Sequence, residues 1–208
     1  MGFYESIILN NNFKVYQFIT DTFDSNSYII EYKDCLLMID PGERLSSKVI
    51  SWLTNNNRVL DYCLLTHEHF DHLIGYKNII NKFNAKTYCS DETKYAISNF
   101  RKNLSFYHNI PFEYNFKNRV YKLPDFIKAI KTPGHSKGSI SFLLENCLFT
   151  GDTILENKKH ITSKLPGGNR NELRESIDLI NKLNNSLKLH IFPGHGEIFN
   201  HNNINLIS

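Results

Sequence analysis

The chain has 208 residues, of which 41% are hydrophobic and 22% charged, so it can bury a sizeable core and we expect one domain over residues 1-208. Its net charge is only +3 and its basic residues are scattered, which argues against nucleic acid as a partner and favours a small-molecule substrate. Without a leader pattern or a run of about 18 apolar residues, the sequence predicts a cytoplasmic protein with no membrane contact.

The first part of the chain alternates strand-like and helix-like segments. Runs of apolar and β-branched residues predict strands over Phe13 to Thr20, Ser27 to Glu31, Cys35 to Asp40, Tyr62 to Leu65 and Lys86 to Cys89. Helical periodicity predicts helices over Leu45 to Thr54, Tyr76 to Phe83 and Asp91 to Asn99. Asp91 is the predicted N-cap of the last helix.

The second part of the chain repeats this build. Strands are predicted over Phe126 to Lys131, Ser139 to Leu144, Cys147 to Thr150 and Leu187 to Phe192, with one helix over Asn171 to Leu183. This pattern indicates an α/β fold made of two similar halves. The four cysteines lie in or beside strand-like runs without pair spacing, which indicates reduced core residues: Cys35, Cys63, Cys89 and Cys147.

A dense polar motif, Thr66-His67-Glu68-His69-Phe70-Asp71-His72, directly follows the predicted strand that starts at Tyr62. Side chains at positions i and i+2 of an extended segment point the same way, so His67 and His69 can hold one metal ion. Asp71 and His72 lie past a turn and can face a second ion. Glu68 alternates away from the two histidines, and we expect it to face solvent or to support a ligand rather than to bind metal.

Three further motifs each follow a strand-like segment and turn at a glycine: Thr132-Pro133-Gly134-His135, Phe149-Thr150-Gly151-Asp152-Thr153 and Phe192-Pro193-Gly194-His195-Gly196. A single histidine after a strand is more often structural, but four such motifs together favour a metal site. His135 would complete the first ion's ligands and His195 the second's, with Asp152 as the bridge. Imidazole and carboxylate suit two Zn²⁺, with Fe or Mn as substitutes. Two ions about 3.5–4 Å apart lower the pKa of a shared water.

The pattern resembles the metallo-β-lactamase fold superfamily, and within it the glyoxalase II-like hydrolases. The resemblance runs from Asn26-Ser27-Tyr28 through Asp40-Pro41-Gly42 and the four metal motifs. It implies an α/β fold, a four-layer αβ/βα sandwich with a binuclear metal site at one edge of the two sheets. It also implies the distribution of ligands: His67, His69 and His135 on metal 1, Asp71, His72 and His195 on metal 2, and Asp152 between them.

The function implied by the resemblance is metal-dependent hydrolysis, in which a metal-bridging hydroxide cleaves an ester or thioester and Asp71 and Asp152 are catalytic. Asp152, and the lack of a cysteine in the motifs, argue against a zinc β-lactamase. The chain stops thirteen residues after His195, without the extra helical domain that helps glyoxalase II hold glutathione, so we expect a different substrate. A phosphodiesterase or nuclease, and an iron-dependent persulfide dioxygenase or diiron redox enzyme, remain the alternatives.

Several roles stay open at the level of sequence. Asp40 either orients a ligating histidine or forms a turn. The aromatic-rich segment from Phe100 to Tyr121 is a lid over the substrate pocket, core packing or a dimer contact, and the oligomeric state is open. The irregular run from Lys158 to Arg170 either brings Lys164 or Arg170 to an anionic substrate or is a surface loop ending in a helix cap at Asn169.

Overall fold

Two β-sheets packed face to face form the centre of the molecule. The computed structural model describes residues 4–10, 13–20, 22–42, 45–110, 112–116, 119–156 and 162–201. The first sheet has the order β1-β2-β3-β4-β5-β6, and its strands are β1 (Tyr4–Asn10), β2 (Phe13–Ile19), β3 (Asn26–Tyr32), β4 (Cys35–Ile39), β5 (Tyr62–Leu64) and β6 (Lys86–Tyr88). The second has the order β11-β10-β9-β8-β7, and its strands are β7 (Lys128–Lys131), β8 (Ile140–Leu144), β9 (Cys147–Gly151), β10 (His190–Pro193) and β11 (Phe199–Asn200).

Both sheets mix antiparallel and parallel pairs. Strand β4 pairs in parallel with β5, β5 with β6, and β9 with β10, whereas the other neighbouring pairs are antiparallel. Parallel neighbours end at the same edge of a sheet, and the polar motifs follow the ends of β5, β9 and β10. The fold therefore brings these motifs to one edge.

In the described part of the chain, four α-helices cover the outer faces of the sheets: α1 (Leu45–Asn55), α2 (Tyr76–Phe83), α3 (Asp91–Ile97) and α4 (Arg170–Leu187). The apolar residues of α4 recur at Leu173, Ile177 and Ile180, which places them on one helix face. That face packs on Leu148 and Ile191 of the second sheet. Two short 3₁₀ helices, Phe70–His72 and Ser105–His108, lie near the motif edge. No described helix is long and apolar enough to cross a membrane.

Three apolar layers hold the sandwich together. Residues of α1, α2 and α3 pack on the outer face of the first sheet, where Met38 of β4 lies. The neighbours of Met38, Leu37 and Ile39, point the other way and pack against Phe142 and Phe149 of the second sheet. A third layer lies between the second sheet and α4. This confirms the predicted four-layer sandwich of helices, sheet, sheet and helices.

The structure corrects the sequence prediction at several ends. Ser90 rather than Asp91 is the N-cap of α3, because its hydroxyl accepts a hydrogen bond from the Thr93 amide at 3.0 Å. The predicted strand from Leu187 is wrong at its start, since α4 continues through Leu187 and β10 begins at His190. Strands β1 and β11 were not predicted. The two-residue β11 is too short to produce a pattern.

Two buried side-chain hydrogen bonds to one carbonyl join the two sheets close to the motif edge. The hydroxyl of Tyr28 on β3 donates to the carbonyl of Pro193 on β10 at 2.7 Å, and the Asn26 side chain donates to the same carbonyl at 3.0 Å. The Tyr28 ring packs on Phe149 and Phe192, with centroids at 5.3 and 5.5 Å. These contacts fix the C-terminal end of β10 against the first sheet.

We expect Tyr28→Phe to lower the free energy of unfolding by about 1 kcal/mol, because one buried donor is lost while Asn26 still satisfies the Pro193 carbonyl. Urea denaturation measures this change. Tyr107→Phe, at a position 62% exposed, is the matched control and should stay within about 0.5 kcal/mol of the parent. Equal stability of the two variants would contradict the prediction.

Candidate metal centre

The first polar motif leaves the sheet at the end of β5 and is tied to the end of β4. The Thr66 amide donates to Asp40 Oδ1 at 2.7 Å, and the Thr66 hydroxyl donates to Asp40 Oδ2 at 2.5 Å. The chain then passes His67 and His69 and turns through the 3₁₀ helix Phe70–His72. The Thr66 carbonyl accepts from the Ile140 amide of β8 at 2.8 Å, which connects this motif to the second sheet.

Three histidines form the first donor group. One ligand atom each of His67, His69 and His135 lies within 4.8 Å of the others, and all three residues are buried. His67 and His69 come from the first sheet, and His135 from the turn after β7. These are the residues that the sequence assigned to metal 1, and the fold brings them together.

The second donor group contains Asp71, His72 and His195, whose ligand atoms also lie within 4.8 Å of one another. The Asp71 Oδ2 atom is 3.3 Å from His195 Nε2 and 3.5 Å from His72 Nε2. The two imidazole Nε2 atoms are 3.3 Å apart. The structure thus also brings together the residues that the sequence assigned to metal 2.

Asp152 lies between the two groups. Its Oδ1 is 3.5 Å from His72 Nε2, while its Oδ2 is 3.4 Å from His135 Nε2 and 3.6 Å from His195 Nε2. Gly194 makes this approach possible, since a Cβ at that position would lie 2.1 Å from Asp152 Oδ1. A carboxylate that reaches both groups has the geometry of a bridge.

Four of the imidazoles are oriented by partners on their outer nitrogen. The Nδ1 atom of His135 lies 3.0 Å from the Thr162 carbonyl, and that of His195 lies 3.1 Å from the Asp24 carbonyl. A carbonyl can only accept, so both Nδ1 atoms carry a proton, and Nε2 is the nitrogen that lies beside Asp152. For His67 the Nδ1 partner is the Thr66 hydroxyl at 2.9 Å, and for His72 it is Asp40 Oδ2 at 3.2 Å. Such outer contacts fix ligand orientation in metal sites.

Burial and the local charges set the protonation of the donors. Burial, with the neighbouring His135, lowers the pKa of His69 to about 3. Burial alone would lower the pKa of His72, but Asp71 and Asp152 outweigh it and raise that pKa to about 10. Burial would raise the pKa of Asp71, but His72 and His195 lower it below the usual range. The carboxylates are therefore ionised, and they favour positive charge at the inner nitrogens.

Unsatisfied polar atoms test whether the donor set fits metal ions. Of the six buried side-chain nitrogens and oxygens that lack a hydrogen-bond partner among the described residues, three belong to this cluster: His67 Nε2, His69 Nε2 and Asp152 Oδ1. Each such atom costs about 1–3 kcal/mol unless something pairs with it. Imidazole nitrogen and carboxylate oxygen are donors to divalent transition metals, so the cluster fits such ions.

Glu68 is buried, so of its two predicted positions the one facing solvent is wrong, and support of a ligand is the one left. Its Oε2 accepts hydrogen bonds from the Ser136 hydroxyl at 2.9 Å and the Thr93 hydroxyl at 3.3 Å, and its Oε1 accepts from the Gly138 amide at 3.4 Å. Ser136 directly follows His135. Glu68 therefore connects the strand end that carries His67 and His69 to the turn that carries His135.

The aromatic-rich segment both packs on the core and borders the cluster. Leu104 and Phe112 belong to the first apolar layer, and Leu104 and His108 line a cavity beside the donors. Tyr107 and Tyr121 remain exposed, and a dimer contact stays an expectation.

Asn169 is the N-cap of α4, accepting from the amides of Asn171 and Glu172, as the surface-loop interpretation predicted. Neither Lys164 nor Arg170 is among the described residues that line the cavity. Of the loop that begins at Lys158, residues 158–161 lie outside the described residues.

Sequence reasoning missed part of the cavity wall. Phe23, Leu155 and Leu165 line it, although no motif marks them. Leu155 lies three positions after Asp152, which is the one local signal that could have found it. The positions of Phe23 and Leu165 depend on tertiary contacts.

Comparisons with known proteins give one family. The family model described as "Metallo-beta-lactamase superfamily" matches residues 20–195. A probable metallo-hydrolase of Methanocaldococcus jannaschii is 33% identical over 188 residues, which cover 85% of this chain and 89% of that protein. A hydroxyacylglutathione hydrolase of Buchnera aphidicola subsp. Schizaphis graminum is 31% identical over 140 residues, which cover 63% of this chain but 48% of that protein.

A solved structure supports the fold. The B3 metallo-beta-lactamase BLEG-1 superposes with a TM-score of 0.78 at 24% sequence identity, and the match covers 89% of this chain and 93% of that chain. At this identity the likeness shows the fold alone.

Zinc-reconstituted protein should hold two ions per chain, because seven donors exceed the four that one tetrahedral zinc takes. Asp152→Ala removes the carboxylate that reaches both groups, so we expect one retained ion and turnover at least about a hundredfold lower. Elemental analysis measures the ions. Asp178→Ala, on the exposed face of α4, is the control. The binuclear assignment is wrong if the parent chain saturates at one ion. It is also wrong if the Asp152 variant keeps the parent's zinc content and turnover.

Glu68→Ala should weaken zinc binding about 10- to 100-fold, which is the usual effect of removing a residue that supports metal ligands. The reason is that the turn that carries His135 loses its link to His67 and His69. Glu68→Gln keeps one oxygen, which can still accept from the Ser136 and Thr93 hydroxyls, and it should retain most of the affinity. Competition with a chromophoric chelator measures both variants. Equal weakening by Ala and Gln would show that charge, rather than hydrogen bonding to Ser136 and Thr93, is what matters.

Proposed function

Because this chain belongs to the metallo-beta-lactamase superfamily, we propose that it is a binuclear zinc hydrolase that cleaves an ester or thioester. The observation that carries the proposal is the position of Asp152 between the two donor groups, within 3.6 Å of imidazoles from both. Hydrolysis is the coarse function that the names of both reported relatives share. The more specific part of the proposal is the substrate class. It is supported by the name hydroxyacylglutathione hydrolase, because an acylglutathione is a thioester.

The ligands in this proposal are His67, His69 and His135 for one ion, Asp71, His72 and His195 for the other, and Asp152 for both. When bound, two divalent ions lower the pKa of a water between them and polarise a carbonyl oxygen. Four imidazoles, those of His67, His72, His135 and His195, turn Nε2 toward the cluster because their Nδ1 atoms are engaged outside. The donor set is thus preorganised, and little rearrangement is needed when ions enter.

Asp71 is the carboxylate with the better access to substrate. Its side chain is 17% exposed, compared with 11% for Asp152, and both residues line the cavity. Because its Oδ2 lies near two imidazoles, Asp71 is held in place, and its remaining lone pairs can accept a hydrogen bond from the attacking water. In the proposed mechanism Asp71 orients this water and Asp152 keeps the two groups in register.

The leaving group favours a thioester over an ordinary ester. A thiol has a pKa near 8.5, so a thiolate can leave at neutral pH without a general acid, whereas an alkoxide cannot. Each carboxylate of the cluster has a depressed pKa and is therefore a poor proton donor. The donor residues then suffice for thioester cleavage.

Isotope labelling under strict anaerobiosis tests the reaction type. We expect thioester cleavage at an undiminished rate, with one oxygen of labelled water entering the carboxylate product, since hydrolysis needs no oxygen. Mass spectrometry of the product reports the label. Asp152→Ala, assayed in parallel, shows that the product arises at this site and not from a contaminating esterase.

Two other outcomes would replace the proposal. Oxygen consumption matched to turnover, with no solvent label, would favour the iron-dependent dioxygenase. Faster cleavage of a phosphodiester than of any thioester or ester in the same panel would favour the phosphodiesterase.

A further inference from the structure

A cavity of about 580 Å³ opens directly onto the donor cluster. Five of the donors line it: His69, Asp71, His135, Asp152 and His195. Ligand pockets for drug-sized molecules have volumes of this order. The cavity therefore has room for much more than a carbonyl group and a water.

We propose that this cavity binds an apolar, uncharged acyl group, so that the substrates are thioesters of medium-length apolar carboxylic acids. The proposal rests on the hydrolase function proposed above and names the part of the substrate that the chain selects. Beyond the donors, the described wall carries five apolar side chains: Phe23, Phe70, Leu104, Leu155 and Leu165.

An aromatic group forms one side of the wall. The rings of Phe23 and Phe70 meet edge to face with centroids 5.0 Å apart, and the imidazole of His108 lies 4.7 Å from Phe70 and 5.7 Å from Phe23. The Phe70 amide donates to the Asn103 carbonyl at 2.9 Å, which fixes this side to the core. Phe70 also directly precedes Asp71. An acyl chain that packs on Phe70 would therefore place its carbonyl next to the donors.

Leucines supply the rest of the apolar wall. Leu104 and Leu155 are buried, at 7% and 6% exposure, whereas Leu165 is 37% exposed. Leu165 can therefore accept a change of polarity without disrupting a core. Each methylene of a ligand that enters such surroundings gains about 0.8 kcal/mol of transfer free energy, which is roughly a fourfold change in an equilibrium constant.

The charges of the described wall select against an anionic acyl group. Outside the donor set, its acidic lining residues are Asp24 and Glu156, and no lysine or arginine is among the described lining residues. Beyond the donor cluster, a carboxylate on the acyl chain would meet like charges, with no lysine or arginine among the described lining residues to offset them. An apolar chain of the same length meets no such penalty.

The test uses the metal-loaded full chain with one leaving thiol, N-acetylcysteamine, and acetyl, butanoyl, hexanoyl and succinyl groups. We expect kcat/KM to increase at least tenfold from acetyl to hexanoyl, since four added methylenes enter the apolar wall. Butanoyl and succinyl groups have the same number of carbons, and we expect the butanoyl thioester to be preferred at least tenfold. Flat values across the series would overturn the proposal.

A pair of variants places the selectivity at this wall. Leu165→Lys puts a cation at the cavity and should shift the butanoyl to succinyl ratio toward succinyl at least tenfold. Leu179→Lys is the matched control, because Leu179 is 39% exposed and lies on α4 away from the cavity. The control should keep the parental ratio. An equal shift in both variants would mean that net charge, and not the wall, sets the preference.

A binding measurement separates this proposal from the proposed function. Calorimetry on the loaded chain compares hexanoate, butanoate and succinate, with hexanoate expected to bind at least tenfold tighter than succinate. Selective binding without cleavage of any thioester would overturn the hydrolase and leave the apolar site standing. Cleavage with equal binding and flat kcat/KM would overturn the apolar site and leave the hydrolase.

Discussion

The buried carboxylate of Asp40 is the contact on which the rest of the site depends. It accepts two hydrogen bonds from Thr66 and lies 3.2 Å from His72 Nδ1, so one side chain holds both ends of the first motif. The parallel pairing of β4 with β5 makes this reach possible. Asp40 itself has a φ of 48°, a left-handed conformation that aspartate adopts more readily than most residues. The turn and the orientation of a histidine, which the sequence left as alternatives, are thus two roles of one residue.

The donor cluster belongs to neither sheet alone. The first sheet supplies His67, His69, Asp71 and His72, while His135, Asp152 and His195 follow strands of the second. Burying this many imidazoles and carboxylates is costly unless their charges are balanced. The apolar layer between the sheets, with Phe142 and Phe149 at its centre, offsets that cost and holds the two sets of donors in contact. The same apolar layer therefore stabilises the sandwich and maintains the geometry of the donor cluster.

The fold class and all seven donors were predictable from the sequence, because each donor lies in a short motif directly after an apolar run. Such motifs are local, and the carboxyl ends of parallel neighbouring strands lie at the same edge of a sheet. Features set by distant contacts were not predicted. Strand β1 shows no periodicity before its asparagines, Glu68 is buried only because Ser136 and Thr93 surround it, and the apolar wall is assembled from separate loops. Ser90 displaced Asp91 as a cap because either residue type can cap a helix.

The contacts that seat His195 join the two far ends of the described chain. Its Nδ1 bonds to a carbonyl 171 residues earlier in sequence, and the Asn26 side chain reaches Gly196 across 170 residues. Contacts of such separation form late in folding, because nearly the whole chain must close into a loop first. During synthesis, which proceeds from the N-terminus, the cluster from His67 to His72 emerges long before its partners. At this stage four of the seven donors have been synthesised. The complete set of donors therefore exists only after translation has passed residue 195 and the two sheets have closed.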